Sequence, residues 1–600
     1  MVIPSTADIM PGLLQCVVPA LKELKAPKGL MILGALGVIS HRFYFIRGEH
    51  HLQAPTYLKL WMLVSIALIS TILVAETSKL GSNLSEAGLD AIRITGLLNL
   101  AFFGPLFTSI VIYRLFEHRL RHFKGPRLAA VSKFWHFWRI LFTSNHEVLD
   151  QLYHRYGKII RTGPQELTII DPEAFDAIAG ARTTCIKAPW YDMLHPYVSV
   201  NSIRTKEGHG PRRKRWDEAL QLSSMYVPDK QVRIQHYAGQ LLRHIKASGT
   251  NPLNMTTWYH HFSFDFMGEM AFGYSFGLTE DSTASTATNE LAEVPTLVSQ
   301  VSASWNKTMA WAAKTCDSRL AKFSGNKENN IDAISGQGDA FARFIRQAAR
   351  DNDLKSLDRL ALYGDALLIT VAGSHTTALT LTMVSYELAR KPELQRKLRE
   401  EITASGAVRL HSDGDMRFEK LDIAVIDKLP FLNGCINEAL RLYPAVPTGG
   451  IKQTVDKAIT ICGQVIPPDT VIVAPRWSIG RAESSFERPN EFIPERWTTE
   501  SQLVKDARAL NGFGIGKLPD TTHIATISLS LTALVISGRH VCPGKQLGLT
   551  EIRIVLVMVI SNFSWAFAAD EKNPTNVADK YLDSYVGSVG ALNLIFTPLS

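Results

Sequence analysis

The stretch Gly538-Arg539-His540-Val541-Cys542-Pro543-Gly544 (GRHVCPG) stands just before an apolar helical pattern that runs from Leu547 to Ile560. A cysteine before a helix N-terminus has its thiolate stabilised by the helix dipole and by free backbone N–H groups. The thiolate is also the form in which cysteine binds a soft metal ion. Free cysteines are, however, among the most buried residues and usually only pack. For Cys542 alone, a metal-ligand role and a packing role are equally favoured.

A second pattern lies upstream, in Leu429 to Pro444 (LPFLNGCINEALRLYP). Glu438 and Arg441 stand at i and i+3 on one helix face, and most such pairs are solvated and contribute little. The apolar residues on both sides indicate burial instead. A buried arginine needs partners, and Arg496 follows within Phe492 to Trp497 (FIPERW). We therefore predict that Glu438, Arg441 and Arg496 form one structural network.

A third pattern, Ala372 to Thr377 (AGSHTT), lies inside the apolar helical stretch Leu360 to Leu388. Glycine and consecutive threonines weaken a helix, because glycine loses the most backbone entropy and threonine hydroxyls compete for backbone carbonyls. We therefore expect a local distortion of this helix. One interpretation is a groove in which a ligand touches the backbone and a hydroxyl handles protons. The other is a seam of small residues between packed helices.

Taken in chain order, these patterns resemble the motifs of the cytochrome P450 superfamily, and the resemblance covers roughly residues 115 to 600. It implies a mainly α-helical fold with small β-sheets, preceded by transmembrane helices. It also implies a role for each motif residue: Thr376 handles oxygen, Glu438 and Arg441 form the ExxR pair, Arg496 belongs to the PERF-type motif, and Cys542 is the axial ligand of the haem iron.

Two further segments take part in the resemblance. His209-Gly210-Pro211-Arg212-Arg213 is similar to the HxxxR contact with the haem propionates, which implies that His209 and Arg213 bind the cofactor. Ala445 to Gly450 (AVPTGG) resembles a substrate-facing segment. Ala458 to Ala474 (AITICGQVIPPDTVIVA), which follows it, predicts two short strands around a Pro-Pro turn.

The chemistry implied by the resemblance is that of a monooxygenase with thiolate-ligated haem b, which inserts one atom of O2 into a hydrophobic small molecule by hydroxylation or epoxidation. NADPH would supply electrons through a reductase, with cytochrome b5 as a further donor. The tandem apolar segments, Arg119 to Ala130 and Ile186 to Leu194 are similar to fungal enzymes of secondary metabolism. The expected substrate is therefore a terpenoid, an alkaloid or a polyketide. A haem-thiolate isomerase or dehydratase, which needs no reductase, is the alternative.

Two residues depart from the family pattern on the side where oxygen and propionates bind. The acid that usually precedes the threonine is His375 here. Histidine has an unperturbed pKa near 6.5, so His375 is a candidate proton relay beside Thr376. Where many relatives have an arginine for a propionate, near Gln453, this chain offers Lys452.

The larger departure is at the cysteine loop, where the family pattern Phe-x-x-Gly-x-Arg/His-x-Cys-x-Gly would need phenylalanine at Val535. Joining Phe513-Gly514-Ile515-Gly516 directly to Arg539 gives FGIGRHVCPG, a full match, so that Phe513, Gly516, His540 and Gly544 become cofactor-binding candidates. Lys517 to Gly538 is then an insertion, and our hypothesis is a retained intron, because these residues can be encoded with a donor, a branch site and an acceptor. If the insertion is real, a haem-free inactive product is a further alternative.

Residues 1–124 predict a membrane anchor, followed by a catalytic domain at 125–600. Helical spans are expected at about 58–75 and 95–115, each near the roughly 20 apolar residues that cross a bilayer. A third stretch at 29–46 is interrupted by His41 and Arg42, so its apolar part has only the length of a buried or interfacial segment, and the sequence leaves two and three spans open. The basic residues after the last span predict that the catalytic domain faces the cytosol from the endoplasmic reticulum. The sequon Asn83-Leu84-Ser85 would then be lumenal and a possible glycosylation site.

Composition narrows the class of protein only slightly. The formal charge of +8 is not gathered into one long basic run, which argues weakly against a nucleic-acid partner. The six cysteines contain no CxxC pair and are too sparse for a disulfide scaffold. A reducing compartment is therefore expected for the soluble part.

Overall fold

The computed structural model describes residues 19–77, 83–220, 228–280, 303–325, 339–344, 358–410, 418–514, 540–568 and 576–599. The chain divides into two compact units, Met1–Lys133 and Phe134–Ser600.

The first unit is helical in its described part. Its helices are α1 (Pro27–Ser40), which continues into a π-turn (His41–Phe45), α2 (Ala54–Thr77), α3 (Leu84–Ile112), which continues into a second π-turn (Tyr113–Glu117), and the short α4 (Arg127–Val131). Helix α2 and the run Leu84–Glu117 are long and apolar enough to cross a membrane. Arg359–Arg390 also meets that criterion, but most of its apolar stretch is buried, as expected of a core helix.

The second unit is mainly α-helical with small sheets, as predicted. Its helices are α5 (Phe134–Ile140), α6 (Asn145–Tyr156), α7 (Glu173–Ala179), α8 (Lys206–Ala219), α9 (Pro228–Ser248), α10 (Met255–Phe272), α11 (Ala303–Gly325), α12 (Arg359–Arg390), α13 (Pro392–Ser405), α14 (Ile423–Ile426), α15 (Pro430–Leu442), α16 (Arg476–Gly480), α17 (Lys545–Asn562) and α18 (Asn576–Asp579). Short 3-10 turns lie at Pro189–Leu194, Pro494–Trp497, Ser501–Leu503 and Ala507–Ala509.

The strands form one five-stranded sheet and several smaller ones. They are β1 (Ile159–Gly163), β2 (Glu166–Ile169), β3 (Ile186–Lys187), β4 (Leu253–Asn254), β5 (Val408–Leu410), β6 (Phe418–Leu421), β7 (Lys452–Gln453), β8 (Ile459–Ile461), β9 (Gln464–Ile466), β10 (Val471–Val473), β11 (Phe563–Phe567), β12 (Leu582–Ser584), β13 (Val586–Ser588) and β14 (Asn593–Pro598). The order in the largest sheet is β1-β2-β10-β7-β3, and β11-β14-β4 form a second sheet. The pairs β12-β13, β5-β6 and β8-β9 are hairpins or ribbons.

The prediction for 458–474 is correct in placing a strand on each side of the Pro-Pro pair, but the number of two strands is wrong, because the structure forms three. Cys462 and Gly463 adopt positive φ angles of 50° and 69°, which closes β8 and β9 into a tight hairpin before the Pro-Pro pair. Two central residues with positive φ are typical of a type I′ hairpin turn, but that turn usually carries Asn-Gly rather than Cys-Gly. Strand β10 then joins the large sheet beside β2 and β7.

Helix α12 lies at the centre of the second unit and is buried along most of its length. A Cβ at Gly373 would come within 2.6 Å of the Met267 side chain on α10, so the glycine allows these helices to approach closely. On another face, a Cβ at Gly548 of α17 would lie 3.5 Å from Thr377 Oγ1. Helix α12 is therefore packed between α10 and the helix that follows Cys542.

Candidate active site

Glu438, Arg441 and Arg496 form a fully buried network. Arg441 donates to both carboxylate oxygens of Glu438, from Nε at 2.9 Å and from Nη2 at 2.7 Å. Arg496 Nε donates to Glu438 Oε1 at 2.8 Å. Burial alone would raise the pKa of Glu438, but the hydrogen bonds and charge of Arg441 and the charge of Arg496 outweigh it and lower this pKa. The carboxylate is therefore held ionised between two guanidinium groups.

The same network fastens α15 to the segment that follows α16. Arg441 also donates to Gly480 O at 2.7 Å, and Arg496 donates to Glu487 O at 3.0 Å. The indole Nε1 of Trp497 donates to Glu438 at 2.9 Å. Charges that are buried without partners are very costly, so these contacts fix the backbone on both sides of the network in one arrangement.

The cysteine loop is closed by contacts between two segments that are far apart in the chain. Cys542 N–H donates to Phe513 O at 2.8 Å. Gly514 has a φ of +86°, and a Cβ on it would lie only 2.8 Å from His540 O. Gly516, Val535 and the predicted insertion Lys517 to Gly538 lie outside the described residues. The last described residues before this interval thus pack directly against the first ones after it.

Cys542 is solvent-exposed and surrounded by cationic groups. Desolvation of the sulfur by the protein around it raises the thiol pKa, while the Gly544 N–H and the charges of Arg213, Arg476 and Lys545 act in the opposite direction. The net shift is upward, so the helix N-terminus and these cations do not by themselves hold a thiolate. The charge of a metal ion at the sulfur would do so, because metal-bound thiols are deprotonated.

One face of α12 is open where its other faces are packed. Ala372 is exposed and Leu368 and Thr376 are half-buried, and their spacing of four residues places them on one side of the helix. Thr376 Oγ1 donates to Ala372 O at 2.7 Å. The other faces hold the seam of small residues, where Gly373 meets Met267. Groove and seam therefore coexist on different faces. The expected local distortion is absent, because α12 runs as one uninterrupted helix.

His375 lies on the α10 side of α12. Its ring packs against the rings of His260 and Phe264, with centroid distances of 5.1 Å to each. Burial lowers the pKa of His260, while a hydrogen bond from its Nδ1 to Thr256 O acts in the opposite direction. His260 is therefore neutral near pH 7. His375 thus adjoins Thr376 in sequence and a second, neutral imidazole in space.

A cluster of basic side chains lies beside the cysteine loop. His209 on α8 approaches the His540 ring at 5.7 Å, and Lys452 Nζ lies 3.1 Å from His540 Nδ1. Arg213 donates to Val541 O. Lys187 completes the cluster: burial, then the charges of Lys452 and Arg213, lower its pKa to about 6, while the Asp365 charge acts in the opposite direction. Lys187 is therefore largely neutral near pH 7. A ligand with carboxylates would suit this cluster, because its negative charge would be attracted to Lys452 and Arg213 and would favour the protonated form of Lys187.

Two basic residues near the site, Lys187 and Arg476, were not predicted as site residues. Lys187 lies on the short strand β3, which pairs with β7 and so brings it to Lys452. Arg476 donates to Asn511 O at 2.6 Å and to Val446 O at 3.2 Å, between the 445–450 segment and the residues that precede Phe513. No local pattern marks either residue; the pairing of short strands brings them to the site.

The hairpin β12-β13 is a further element that the sequence did not indicate. Gly587 N–H donates to Ala445 O at 2.8 Å, and a Cβ at Gly587 would lie 3.0 Å from Leu379 of α12. At the hairpin tip, Tyr585 has a φ of +78°, which is rare for a bulky residue. Its hydroxyl lies 3.4 Å from that of Tyr191. The hairpin and the 445–450 segment therefore meet beside α12.

These features fit a haem. Cys542 offers a soft axial ligand, the open face of α12 offers an apolar wall with one hydroxyl, and the basic cluster complements two propionates. The family model described as Cytochrome P450 matches residues 129–517.

The chain belongs to the cytochrome P450 family. It is similar to curated fungal members along most of its length. It is 31% identical over 581 residues to cytochrome P450 monooxygenase FCK2 of Fusarium pseudograminearum, covering 95% of this chain and 98% of that protein. It is 31% identical over 563 residues to tryprostatin B 6-hydroxylase of Neosartorya fischeri, covering 90% and 93%. It is 31% identical over 550 residues to cytochrome P450 monooxygenase notG' of Aspergillus versicolor, again covering 90% and 93%.

These relatives confirm that the protein is an oxygen-incorporating oxidoreductase of the fungal cytochrome P450 type. Membership implies a haem-thiolate cofactor, O2 and a small-molecule substrate. The family match ends at Lys517, where the predicted insertion begins, whereas Cys542 lies beyond it.

Proposed function

We propose that this cytochrome P450 hydroxylates or epoxidises a hydrophobic secondary metabolite, a terpenoid, an alkaloid or a polyketide. The observation that carries the proposal is the open face of α12, on which Leu368 and Ala372 present apolar surface next to the Thr376 hydroxyl. This face presents few polar groups to a substrate, so it suits a hydrophobic one. The relative from Neosartorya fischeri is named as a hydroxylase, which supports hydroxylation as the reaction.

Cys542 Sγ is the proposed axial ligand, and a thiolate-ligated haem supplies the oxygen activation that side chains lack. His209, Arg213, His540 and Lys452 are proposed to hold the propionates, because they form the basic cluster beside the loop. Phe513, Gly516 and Gly544 are proposed to shape the cysteine loop itself. A Cβ on Gly544 would lie 3.9 Å from the Cys542 sulfur, so this glycine borders the ligand directly.

Thr376 and His375 are proposed to handle protons. The Thr376 hydroxyl donates to Ala372 O and lies on the open face of α12, where it would be available to donate a proton. His375 stands one residue away, against His260. Two adjacent imidazoles can take up a proton on one side and release it on the other, which would replace the acid that usually precedes this threonine.

We further propose that an NADPH-dependent reductase, with cytochrome b5 as a further donor, supplies the electrons. The enzyme would be held in the endoplasmic reticulum membrane with the catalytic unit in the cytosol. Basic residues crowd the chain after α3, at Arg119, Arg121 and Lys124, which is typical of a cytosolic flank. Asn83, whose side chain caps α3 by accepting from Ser85 N–H, would then be a lumenal candidate for glycosylation.

Residues 517–538 are proposed to be a retained intron that the active enzyme lacks. The hydrogen bond from Cys542 N–H to Phe513 O supports this, because it joins the segments that a continuous FGIGRHVCPG loop would contain. The end of the family match at Lys517 supports it as well. Sequencing of the spliced transcript tests the idea: most messages should lack the corresponding bases, and their retention in most messages would contradict it.

The reaction type is tested with isotope-labelled O2. The enzyme without residues 517–538, supplied with reductase and NADPH, should introduce one labelled oxygen atom into a hydrophobic metabolite of the producing fungus. A Cys542→Ala variant serves as the control without the ligand. A product that forms without label and without NADPH would instead support the isomerase or dehydratase alternative, for which the replacement of the usual acid by His375 leaves room.

A further inference from the structure

Helix α1 (Pro27–Ser40) is extended at its C-terminal end by a π-turn. It continues into the π-turn His41–Phe45, so the helical run covers residues 27–45. At about 1.5 Å per residue this run is roughly 28 Å long. The hydrocarbon core of a bilayer is about 30 Å thick. The run is therefore long enough to cross a membrane with little mismatch.

Two glycines bring α1 into close contact with α3. A Cβ at Gly34 would lie 3.1 Å from the Pro105 side chain, and one at Gly37 would lie 2.3 Å from Phe102 O. Small residues that allow backbones to approach are typical of helix pairs within membranes. The close contact therefore lies in the part of α3 that is predicted to span the bilayer.

Polar pairs continue this contact to the ends of both helices. His41 Nδ1 lies 2.8 Å from Ser109 Oγ, and the Arg42 guanidinium contacts both carboxylate oxygens of Glu117, with 2.8 Å from Nη2 to Oε1. Residue numbers rise together along the two helices, so α1 and α3 run parallel. Arg42, which interrupts the apolar stretch, has its charge paired with Glu117, which reduces the cost of placing it near the bilayer edge.

Helix α2, which lies between α1 and α3 in the sequence, runs in the opposite direction to both. Trp61 Nε1 donates to Asn99 Oδ1 at 3.0 Å, whereas Ile72 packs with Ala91, so residue numbers along α2 rise as those along α3 fall. Helices α2 and α3 therefore form an antiparallel pair, and α1 has the direction of α3.

The outer face of the run 27–45 is apolar and exposed. Its exposed large side chains are Met31, Ile32, Leu36, Ile39, Phe43, Tyr44 and Phe45. Helix α2 exposes a comparable set: Leu58, Leu60, Trp61, Met62, Leu63, Val64 and Ile66. An exposed apolar surface of this extent marks an interaction site, and its presence on two helices of about bilayer length fits lipid acyl chains.

We propose that residues 27–45 are a third membrane span, parallel to α3, with lipid acyl chains as the partner of their outer face. Helix α3 leads to the catalytic unit at its C-terminal end, so Pro27, at the N-terminal end of α1, lies on the opposite side of the membrane. The basic residues Lys22, Lys25 and Lys28 favour the other placement by charge alone. The contacts of Gly34, Gly37 and Arg42 with α3 outweigh that bias. The proposal rests on the membrane anchor of the proposed function.

Glycosylation mapping tests the proposal in microsomes that contain the full chain. A Pro4→Asn substitution creates an acceptor sequon with Ser5 and Thr6, and Asn83→Gln removes the natural one. The double variant should gain one glycan that a glycosidase removes. An unglycosylated double variant whose N-terminal tag is digested in sealed microsomes would overturn the proposal. Digestion of a C-terminal tag reports the placement of the catalytic unit separately, so that failure of one placement is distinguishable from failure of the other.

A packing variant tests the same proposal without a sequon. Gly37→Leu forces a side chain into Phe102 O and should expel α1 from the bundle, so that an N-terminal tag becomes accessible to protease in sealed microsomes. Gly96→Leu is the matched control, because no described atom lies within 4 Å of a Cβ there. Protection of the tag in Gly96→Leu and its loss in Gly37→Leu support the span. Accessible tags in both variants and in the parent chain contradict it.

Discussion

At the scale of single residues, Glu438 is the buried carboxylate that joins α15 to the segment around Arg496. It accepts from Arg441, Arg496 and Trp497 with no side-chain exposure. We predict that Glu438→Gln destabilises the catalytic unit by about 3–5 kcal/mol, because two buried guanidinium groups lose their counter-charge. Glu491→Gln breaks only the exposed pair with Arg488 and should cost at most about 1 kcal/mol. Urea unfolding measures the free energy of unfolding of both variants. Equal decreases in the two would contradict the structural role of the Glu438 carboxylate.

The pH dependence of this stabilisation follows from the direction of the pKa shift. The pKa of Glu438 is lowered in the folded protein, because the arginines outweigh the effect of burial. Stability from this group is therefore fully present above the pKa of an unfolded glutamate and is lost as the pH falls through the folded pKa. Parent and Glu438→Gln chains should accordingly converge in stability towards acid pH. A difference that stays constant with pH would show that the charge is not the cause.

Thr376 is predicted to matter for chemistry and not for stability. Thr376→Ala should lower product formation by about 10²-fold, the range typical of a lost proton-transfer group, while O2 consumption continues and yields peroxide. Thr370→Ala is the control, because Thr370 makes the same hydroxyl bond to the carbonyl four residues earlier but is fully buried. Product and peroxide per NADPH measure the effect. Equal coupling in both variants would remove Thr376 from the mechanism.

The residues that sequence reasoning found are those whose spacing or neighbours are local. Glu438 and Arg441 are three apart on one helix, and Thr376 lies in a short motif. Lys187 and Arg476 could not be found in this way, since their place at the site depends on the pairing of β3 with β7 and on the start of α16.

At the scale of elements, α12 combines packing faces with an open face, and its glycines serve the packing. A Cβ at Gly364 would lie 2.4 Å from Val198 O, which is backbone and cannot yield easily. We predict that Gly364→Ala destabilises the catalytic unit by about 1–3 kcal/mol. Gly239→Ala in α9, where no described atom lies within 4 Å, should stabilise it by up to about 1 kcal/mol. Thermal unfolding should show a lower midpoint for Gly364→Ala and a higher midpoint for Gly239→Ala than for the parent chain. A shift in the same direction in both variants would contradict the packing role of Gly364.

Element boundaries were predictable where the hydrophobic pattern is long and uniform. The central helix was predicted from the apolar stretch between Leu360 and Leu388, because a stretch of this length and composition in a helical protein forms a buried helix. The hairpin at Cys462 was not predictable, since both central residues of the turn have positive φ and only Gly463 is of a type that favours it. The expected distortion near Thr376 was also wrong, because the threonine hydroxyls bond to carbonyls within an intact helix.

At the scale of the whole molecule, the proposed membrane anchor and catalytic domain rest on a sharp change in the sequence pattern near residue 125. The number of spans did not follow from hydropathy, because the hydropathy of His41 and Arg42 is the same whether or not they have polar partners. Their partners Ser109 and Glu117 are known only from the folded arrangement of α1 and α3.

The relation between residues 517–538 and the cysteine loop is the central question for the molecule. Phe513 and Gly514 meet His540 and Cys542 as a continuous loop would require. We therefore expect this cytochrome P450 to bind haem through Cys542 in the chain that lacks these residues.

The reduced carbon monoxide difference spectrum tests this claim most directly, on the full-length chain and on the chain without residues 517–538. In the shortened chain we expect the strongly red-shifted Soret band of a thiolate-ligated haem, and we expect the Cys542→Ala substitution to abolish this band. A red-shifted band that persists in the Cys542→Ala variant, or a shortened chain that binds no haem while the full-length chain does, would contradict this claim.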